Sequence, residues 1–536
     1  MPPSRQPPLP TEVDVLVAGS GASGLTAALT AASAGLSVSV IESADKWGGT
    51  SALGGGRVWI PPAAGTRDTP SSAIQYLAEV FGSDHEEMAR AFVESARPMM
   101  RFIEARSRHR FVVCPNYPDY HPHLPGWSAG GRAHDAAPVS LDELCPEASD
   151  VLLPPSYLPI THEEWEDWRF PRQFDSEVIE DRRRSRTLTN GASLVASLLD
   201  GSISAGANLV KGVALVDASP AEDGSIVANV KRDGETATIR AAALILATGG
   251  FDADPELRSS HLPEGVSASA SAPTNTGVAL RVALAAGLAV ENLGEGWWMP
   301  MVMVPGEEIF GQPYPRALVR ERGVPHQIVV NRGGERFVNE ASPYHEFVKA
   351  MNLGEAEGLP NREAWIVFDE QFRAKYSLPG LTPAGAVPSQ IDADRSIAGL
   401  AHRVGIDPSA LRSTIDRWNE SCRTGIDPDF ARGDNPYDRY YGDSRSDHPN
   451  LGTIAEPPFY ATRVFGGTVG SKGGPVTTPD GLLIDQNGMS WQGWYAVGNA
   501  AAFWTGAGYP GPGATLGIGM TFAYRAAMDA IRFIRS

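Results

Sequence analysis

Cysteine is scarce. The 536 residues hold 3, Cys114, Cys145 and Cys422, far apart and with no Cys-x-x-Cys pair among them. That excludes a disulfide framework and a cysteine-based metal site, so no metal is expected, and a reducing cytoplasm suits the chain. Long apolar runs are missing too. No stretch approaches the ~18 consecutive apolar residues of a membrane-spanning helix. Residues 1–10, crowded with proline, have no apolar core and cannot serve as a secretion signal; they read as a disordered tail. Basic residues are outnumbered, 45 Lys and Arg against 63 Asp and Glu, for a formal charge of −18. Such a chain repels phosphate backbones, which excludes nucleic-acid binding as its main activity.

Glycine, by contrast, is plentiful, and one glycine turn organises the rest. Residues 13–17 are apolar and β-branched enough for a parallel strand buried on both faces. The strand runs into Gly19, Gly21 and Gly24 in G-x-G-x-x-G spacing, which opens an Ala-rich helix ending at Gly35. Gly19 permits a tight turn, Gly21 lets the backbone come against a pyrophosphate, and Gly24 lets helix and strand pack closely. The helix N-terminus adds free N–H groups and a positive dipole end. A second strand over 37–41 ends on Glu42, placed to accept hydrogen bonds from both hydroxyls of an adenosine ribose. A glycine turn alone would be only a turn. Strand, glycines, helix, second strand and acid together read as an adenine-dinucleotide site, with NAD and FAD both open at this point.

Further along, residues 48–56 carry five glycines beside Trp47, Trp59 and Ile60. This is too much backbone freedom for the interior of a helix or strand, and it suggests chain wrapped around a flat group. Residues 71–108 read as helices and 111–126 as an extended, Pro-punctuated loop with Tyr117 and Tyr120. The stretch 134–186 has no clear period and reads as an insertion or flap; its cluster Arg182, Arg183, Arg184 and Arg186 reads as a solvated face. Order returns with a helix over 192–199, a strand over 208–215, a hairpin-like pair over 225–231 and 236–240, and a buried strand over 241–246 that ends at Ala247, Thr248, Gly249 and Gly250. A helix over 275–287 follows. From about 291 to 459 the texture is mixed α+β. A short strand over 493–499 and a terminal helix over 519–535 then return the chain to the nucleotide unit. The expected architecture is an α/β Rossmann-like dinucleotide-binding domain, 11–290 with 460–536, carrying an inserted α+β catalytic domain over 291–459.

These pieces together resemble the FAD-dependent fumarate reductase and succinate dehydrogenase superfamily, and within it the 3-ketosteroid Δ1-dehydrogenases. The carrying motifs are Gly19 to Gly24 with Glu42, the loop from Gly48 to Gly56, Ala247-Thr-Gly-Gly-Phe251, Arg336-Phe-Val-Asn-Glu-Ala-Ser-Pro-Tyr344, Gly470-Ser-Lys-Gly-Gly474, Tyr495-Ala-Val-Gly-Asn499 and Tyr509-Pro-Gly-Pro-Gly513. The resemblance implies that FAD is held by Gly19, Gly21, Ala22, Ser23, Gly24, Glu42, Ser43, Gly48, Gly49, Thr50, Ser51, Gly55, Gly56, Val213, Ala247, Thr248, Gly249, Gly498, Asn499, Ala514 and Leu516. Covalently flavinylated relatives carry His just before the Thr of the glycine loop; Gly49 stands there, so FAD is expected to be non-covalent. Gly54 replaces a Ser common in the family.

The resemblance also implies a mechanism. The Tyr509 hydroxyl and the Gly513 N–H hold the 3-keto oxygen and stabilise the enolate, an oxyanion-hole role. Tyr344 takes the C2 proton with help from Tyr120, and flavin N5 accepts the C1 hydride. A free Tyr has a pKa of ~10, so such a base needs help near neutrality. Tyr117, three residues before Tyr120, is the alternative helper. His121, His123, His345 and Arg336 are read as structural or surface residues. An external acceptor such as a quinone completes the cycle. Three other readings stand beside this one: a desaturase of another cyclic ketone such as a 4-oxocyclohexane carboxylate, favoured if Arg132, Arg316 or Arg320 faces the flavin; a fumarate reductase-like C=C reductase; and a flavin-binding protein without turnover.

Overall fold

The computed structural model describes residues 8–63, 65–168, 174–356 and 361–536. Most of the tail expected over residues 1–10, and part of the irregular stretch 134–186, lie outside the described residues.

Two sheets set the architecture. In the first, Glu12–Ala18 lies between Val38–Glu42 and Glu235–Leu246, parallel to both. Asn208–Lys211 extends the parallel array on one side and Ser490–Ala496 on the other, and Leu482–Ile484 closes that edge antiparallel. The helix Ala22–Ser33 connects the first two strands, buried along most of its length. The terminal helix Ala514–Arg535 packs against it. This is the Rossmann-like arrangement, in which ligands bind outside the carboxyl ends of the parallel strands. The second sheet is centred on Phe459–Ser471. Gly296–Ile309 and Gln312–Ala317 lie on one side of it, Ala364–Asp369 and Gln327–Asn331 on the other, each antiparallel to its neighbour. Among the described residues no helix is long and apolar enough to cross a membrane.

Local departures from the sequence reading have physical causes. Glu235–Leu246 is one 12-residue strand rather than a hairpin arm and a separate buried strand. Its first half pairs antiparallel with Ile226–Arg232 and keeps polar residues exposed, whereas residues 243–246 are covered on both faces and wholly apolar. The strand expected over 208–215 breaks at Gly212, whose φ is +69°. The glycine loop contains a short helix, Gly49–Leu53. The terminal helix begins at Ala514, five residues before the expected start, because Gly513 (φ +87°) takes the left-handed cap position and Leu516 to Ile518 continue the helix.

Candidate active site

A cavity of about 530 Å³ lies at the carboxyl ends of the first sheet's parallel strands. Ala18, Ile41, Ala247 and Val497 wall it from that sheet, and Met299, Pro315 and Val469 from the second. Two kinds of glycine build the dinucleotide end. Gly19 (φ +108°) is demanded by the chain itself, since a Cβ there would stand 2.3 Å from the Ala247 carbonyl oxygen. Gly24 is likewise fixed, with a Cβ position 2.0 Å from Gly19 O. Gly21 differs. Its backbone is ordinary, and a Cβ would meet only Ser51 Oγ at 3.4 Å and Gly48 O at 3.9 Å. Nothing in the chain's own packing requires glycine there, so the open space in front of the helix N-terminus fits a ligand phosphate. The Glu42 carboxylate is held in place: Ser20 N–H (3.0 Å) and Ser20 Oγ (2.6 Å) donate to Oε2, and Ala44 N–H (2.9 Å) to Oε1. On the same wall the Thr248 hydroxyl is buried without a partner. These features fit FAD.

At the other end, three tyrosines from distant parts of the chain converge. Tyr120 Oη donates to Tyr344 Oη at 2.6 Å, and Tyr344 Oη donates to Tyr509 Oη at 3.1 Å. Thr515 Oγ1 lies 3.1 Å beyond Tyr509 Oη. The rings pack on one another with centroids 5.1–5.6 Å apart. Burial pushes the Tyr120 and Tyr344 hydroxyls well above the ordinary phenol range, and it raises Tyr509 as well. Their scaffolding differs. Tyr344 opens the helix Tyr344–Ala356. Tyr120 is anchored by its N–H to Pro510 O (3.1 Å). Tyr509 is gripped from two sides: His121 Nε2 donates to its carbonyl at 3.0 Å, and the Trp297 ring stands edge-on at 4.5 Å. Gly513, four residues on, caps the terminal helix, where first-turn N–H groups have no partner inside the helix.

Charges near the cavity are matched in pairs. Arg57 forks onto Asp135 at 2.6 and 3.0 Å and lies over the Tyr117 ring. Arg316, on the cavity wall, is bidentate to Glu307 at 2.8 and 2.7 Å. Arg320 pairs with Glu166. Arg132 is away from the cavity, between Asp68 and Asp119. His162 lines the cavity directly over Gly55, and burial holds its pKa down to about 4, so the ring is neutral.

Of the expected flavin ligands, Gly19, Gly21, Ser23, Glu42, Ser43, Gly49, Thr50, Ser51, Gly55, Gly56, Val213, Ala247, Thr248, Gly249, Gly498, Asn499 and Leu516 line the cavity, as do Tyr120, Tyr344, Tyr509 and Gly513. Ala22, Gly24, Gly48 and Ala514 stand behind the wall; Ala22 N–H, for example, donates to Ser51 Oγ at 3.0 Å. Tyr117 lines the cavity too, but its hydroxyl bonds that of Tyr441, not Tyr344. Arg336 is locked between Glu340 and Asp427 and does not line the cavity. The sequence reading missed His162, Met299, Tyr314, Tyr441 and Thr515. His162 and Tyr441 sit in stretches without periodicity, where only a contact could mark them. Thr515 stands two residues past Gly513, just beyond the motif Tyr509 to Gly513.

The chain matches the FAD binding domain family over residues 14–516. It is 36% identical to the 4-oxocyclohexanecarboxylate 2-dehydrogenase of Sinomonas cyclohexanicum, covering 96% of this chain and 92% of that one. It is 34% identical to the 3-oxosteroid 1-dehydrogenase of Mycolicibacterium smegmatis, over 97% of each. The crystal structure of 3-ketosteroid Δ1-dehydrogenase from Sterolibacterium denitrificans, in complex with 1,4-androstadiene-3,17-dione, superposes with a TM-score of 0.91 at 33% identity, covering 97% of this chain and 100% of that one. Glycine cradle, fixed Glu42 and full-length likeness agree: the chain belongs to the FAD-binding flavoproteins of the 3-ketosteroid Δ1-dehydrogenase family.

Proposed function

We propose that the protein introduces a C1–C2 double bond into neutral 3-ketosteroids. The observation that carries this reading is the hydroxyl chain Tyr120–Tyr344–Tyr509 on the cavity wall. Tyr509 Oη and the Gly513 N–H hold the ketone oxygen, and negative charge moves onto that oxygen as the C2–H bond breaks. Tyr344 receives the C2 proton on its phenolate oxygen. The hydrogen bond from Tyr120 favours that phenolate, because an acceptor gains most from a donor when it is charged. As the carbonyl re-forms, the C1 hydrogen leaves with its electron pair and the C1–C2 double bond closes. Bound FAD supplies the two-electron oxidation, held by the glycine turn and Glu42. With Gly49 where covalent relatives have His, the cofactor is non-covalent. Reoxidation falls to an external acceptor such as a quinone, in the cytoplasm.

A carboxylate-bearing cyclic ketone is the second reading. The Sinomonas relative and the presence of Arg316 on the cavity wall favour it. Charge balance favours the steroid. Arg57, Arg316 and Arg320 each have a carboxylate partner already, and His162 is neutral. A substrate carboxylate entering here would compete with Glu307 for Arg316, and a buried ion without a matched partner costs several kcal/mol.

The test is Tyr344→Phe. It keeps the ring packing and removes the proton acceptor, so FAD absorbance is retained and Δ1-desaturation is lost. A variant that still forms the 1-ene product at the normal rate rejects Tyr344 as base.

A further inference from the structure

Tyr509 stands on chain that supplies little support of its own. Residues 501–510 form neither helix nor strand, and Gly506, Gly508 and Gly511 leave the backbone around it loose. Carbonyls outside a helix or sheet need donors from elsewhere. Here five in succession find them. Lys472 Nζ donates to Gly506 O at 2.8 Å and to Gly508 O at 2.5 Å. His345 Nε2 donates to Ala507 O at 2.9 Å, and His121 Nε2 to Tyr509 O at 3.0 Å. Pro510 O accepts from Tyr120 N–H at 3.1 Å and from Tyr76 Oη at 2.6 Å.

The origin of these donors is specific. His121 follows Tyr120 in the chain and His345 follows Tyr344. Each of the other two tyrosines is thus joined, through its next residue, to the segment that carries the third. His345 Nδ1 accepts from Trp298 N–H at 3.3 Å, which leaves Nε2 as the protonated nitrogen, and burial keeps the ring neutral. Lys472 is fully buried, and burial pushes its ammonium well below the ordinary range. Burying an amine is costly where an apolar side chain of equal length would not be. What the lysine adds is its two carbonyl bonds. Its Nζ also lies 3.9 Å from the centre of the Trp297 ring, the same ring that stands edge-on to Tyr509.

We propose that His121, His345 and Lys472 are positioning residues for the oxyanion donor: they hold the carbonyls of residues 506–509 so that the Tyr509 hydroxyl meets Tyr344 and the ketone oxygen together. The proposal rests on the reading of Tyr509 as a holder of that oxygen. Without the grip the glycines let the segment turn, and a reacting group displaced by about 1 Å can cost ~10²-fold in rate.

The experiment uses holoenzymes. His345→Phe keeps a ring beside Trp298 and Tyr509 and deletes the donor, His345→Gln restores an N–H near the Nε2 position, and Lys472→Met keeps the stem. The probe is a steroid with a phenolic A ring, whose ionised oxygen mimics the enolate; its Kd is read from the change in flavin absorbance. His345→Phe and Lys472→Met should each raise Kd about tenfold or more with FAD retained, and His345→Gln should recover most of the loss. In a Tyr509→Phe background neither substitution should change Kd by more than about twofold, because the hydroxyl they place is gone. Losses that persist in full without that hydroxyl, or no loss at all, overturn the proposal. Should both buried variants fail to bind FAD, His121→Phe, at a half-buried position, decides by the same comparison. If the phenol does not perturb the wild-type flavin, the functional reading fails, and crystal structures of wild type and His345→Phe still decide the positioning role. A Tyr509 hydroxyl moved out of reach of Tyr344 supports it, and one still bonded to Tyr344 rejects it.

Discussion

As the proposed base, Tyr344 would act only in its ionised form, and burial opposes that form. Turnover should therefore rise with pH and level off only once Tyr344 ionises, on the alkaline side. Tyr120→Phe removes the 2.6 Å donor to the phenolate and should move this midpoint further up. Tyr117→Phe keeps the Tyr120–Tyr344 hydrogen bond and should not raise the midpoint as Tyr120→Phe does, because the Tyr117 hydroxyl bonds Tyr441 rather than Tyr344. A pH–rate profile of the two variants separates the roles; equal midpoints would remove Tyr120 from the proton path. The choice between Tyr117 and Tyr120 was not legible in the sequence. Both lie in a Pro-rich loop without periodicity, and three residues of irregular chain can turn a side chain anywhere. Tyr509 was more legible, because the glycines after it force a turn into a helix.

Two contacts tie neighbouring elements to this site. Gly513 sits at φ +87°, and a Cβ there would stand 2.5 Å from the Arg57 carbonyl oxygen. Gly513→Ala must push the strand Val58–Trp59 and the start of the terminal helix apart. We expect a loss of kcat of ~10²–10³, as for removal of one oxyanion donor, with a modest drop in Tm; unchanged kinetics would exclude the Gly513 N–H from the oxyanion role. The second is the Arg57–Asp135 pair, which ties the residue before Val58–Trp59 to the strand Ala133–Ala136. Burial alone would raise the Asp135 carboxyl, yet the Arg57 guanidinium holds it below the usual carboxylate range. The stability this contributes is present above the unfolded pKa of ~3.9 and is lost as pH falls through the folded value. Asp135→Asn should cost about 3–5 kcal/mol near neutrality by leaving Arg57 unpaired, and it should flatten the acid limb of the unfolding curve. Identical acid limbs would contradict this.

The elements themselves were legible where burial is uniform. Residues 13–17, covered on both faces, and the Ala-rich helix after them carry their environment in their composition. Glu235–Leu246 misled because one strand passes from a half-exposed hairpin to a fully covered sheet centre, so its pattern changes midway. The helix over Gly49–Leu53 was hidden because glycine spacing reports freedom, and freedom allows a helical turn as readily as a loop.

Across the whole molecule, two sheets separated in sequence build one cavity. The parallel sheet contributes the glycine turn and Glu42; the second sheet and its flanking helices contribute Met299, Arg316 and Tyr344. No local pattern could predict that residues 120, 344 and 509 meet. Their convergence was anticipated only through likeness to a family, and the hydroxyl distances now give it a physical form. Arg57, Arg316 and Arg320, on or beside the cavity wall, are each already paired with a carboxylate, which favours an uncharged substrate despite the formal likeness to a carboxylate-processing relative. The most direct test is anaerobic bleaching of the bound flavin by 3-ketosteroids, by 4-oxocyclohexanecarboxylate and by simple cyclic ketones, with product analysis. A 3-ketosteroid should bleach the flavin and appear as its 1-ene product while the carboxylate does not. Bleaching by the carboxylate alone would contradict the steroid reading, and an oxidised flavin with every ketone would contradict desaturation itself.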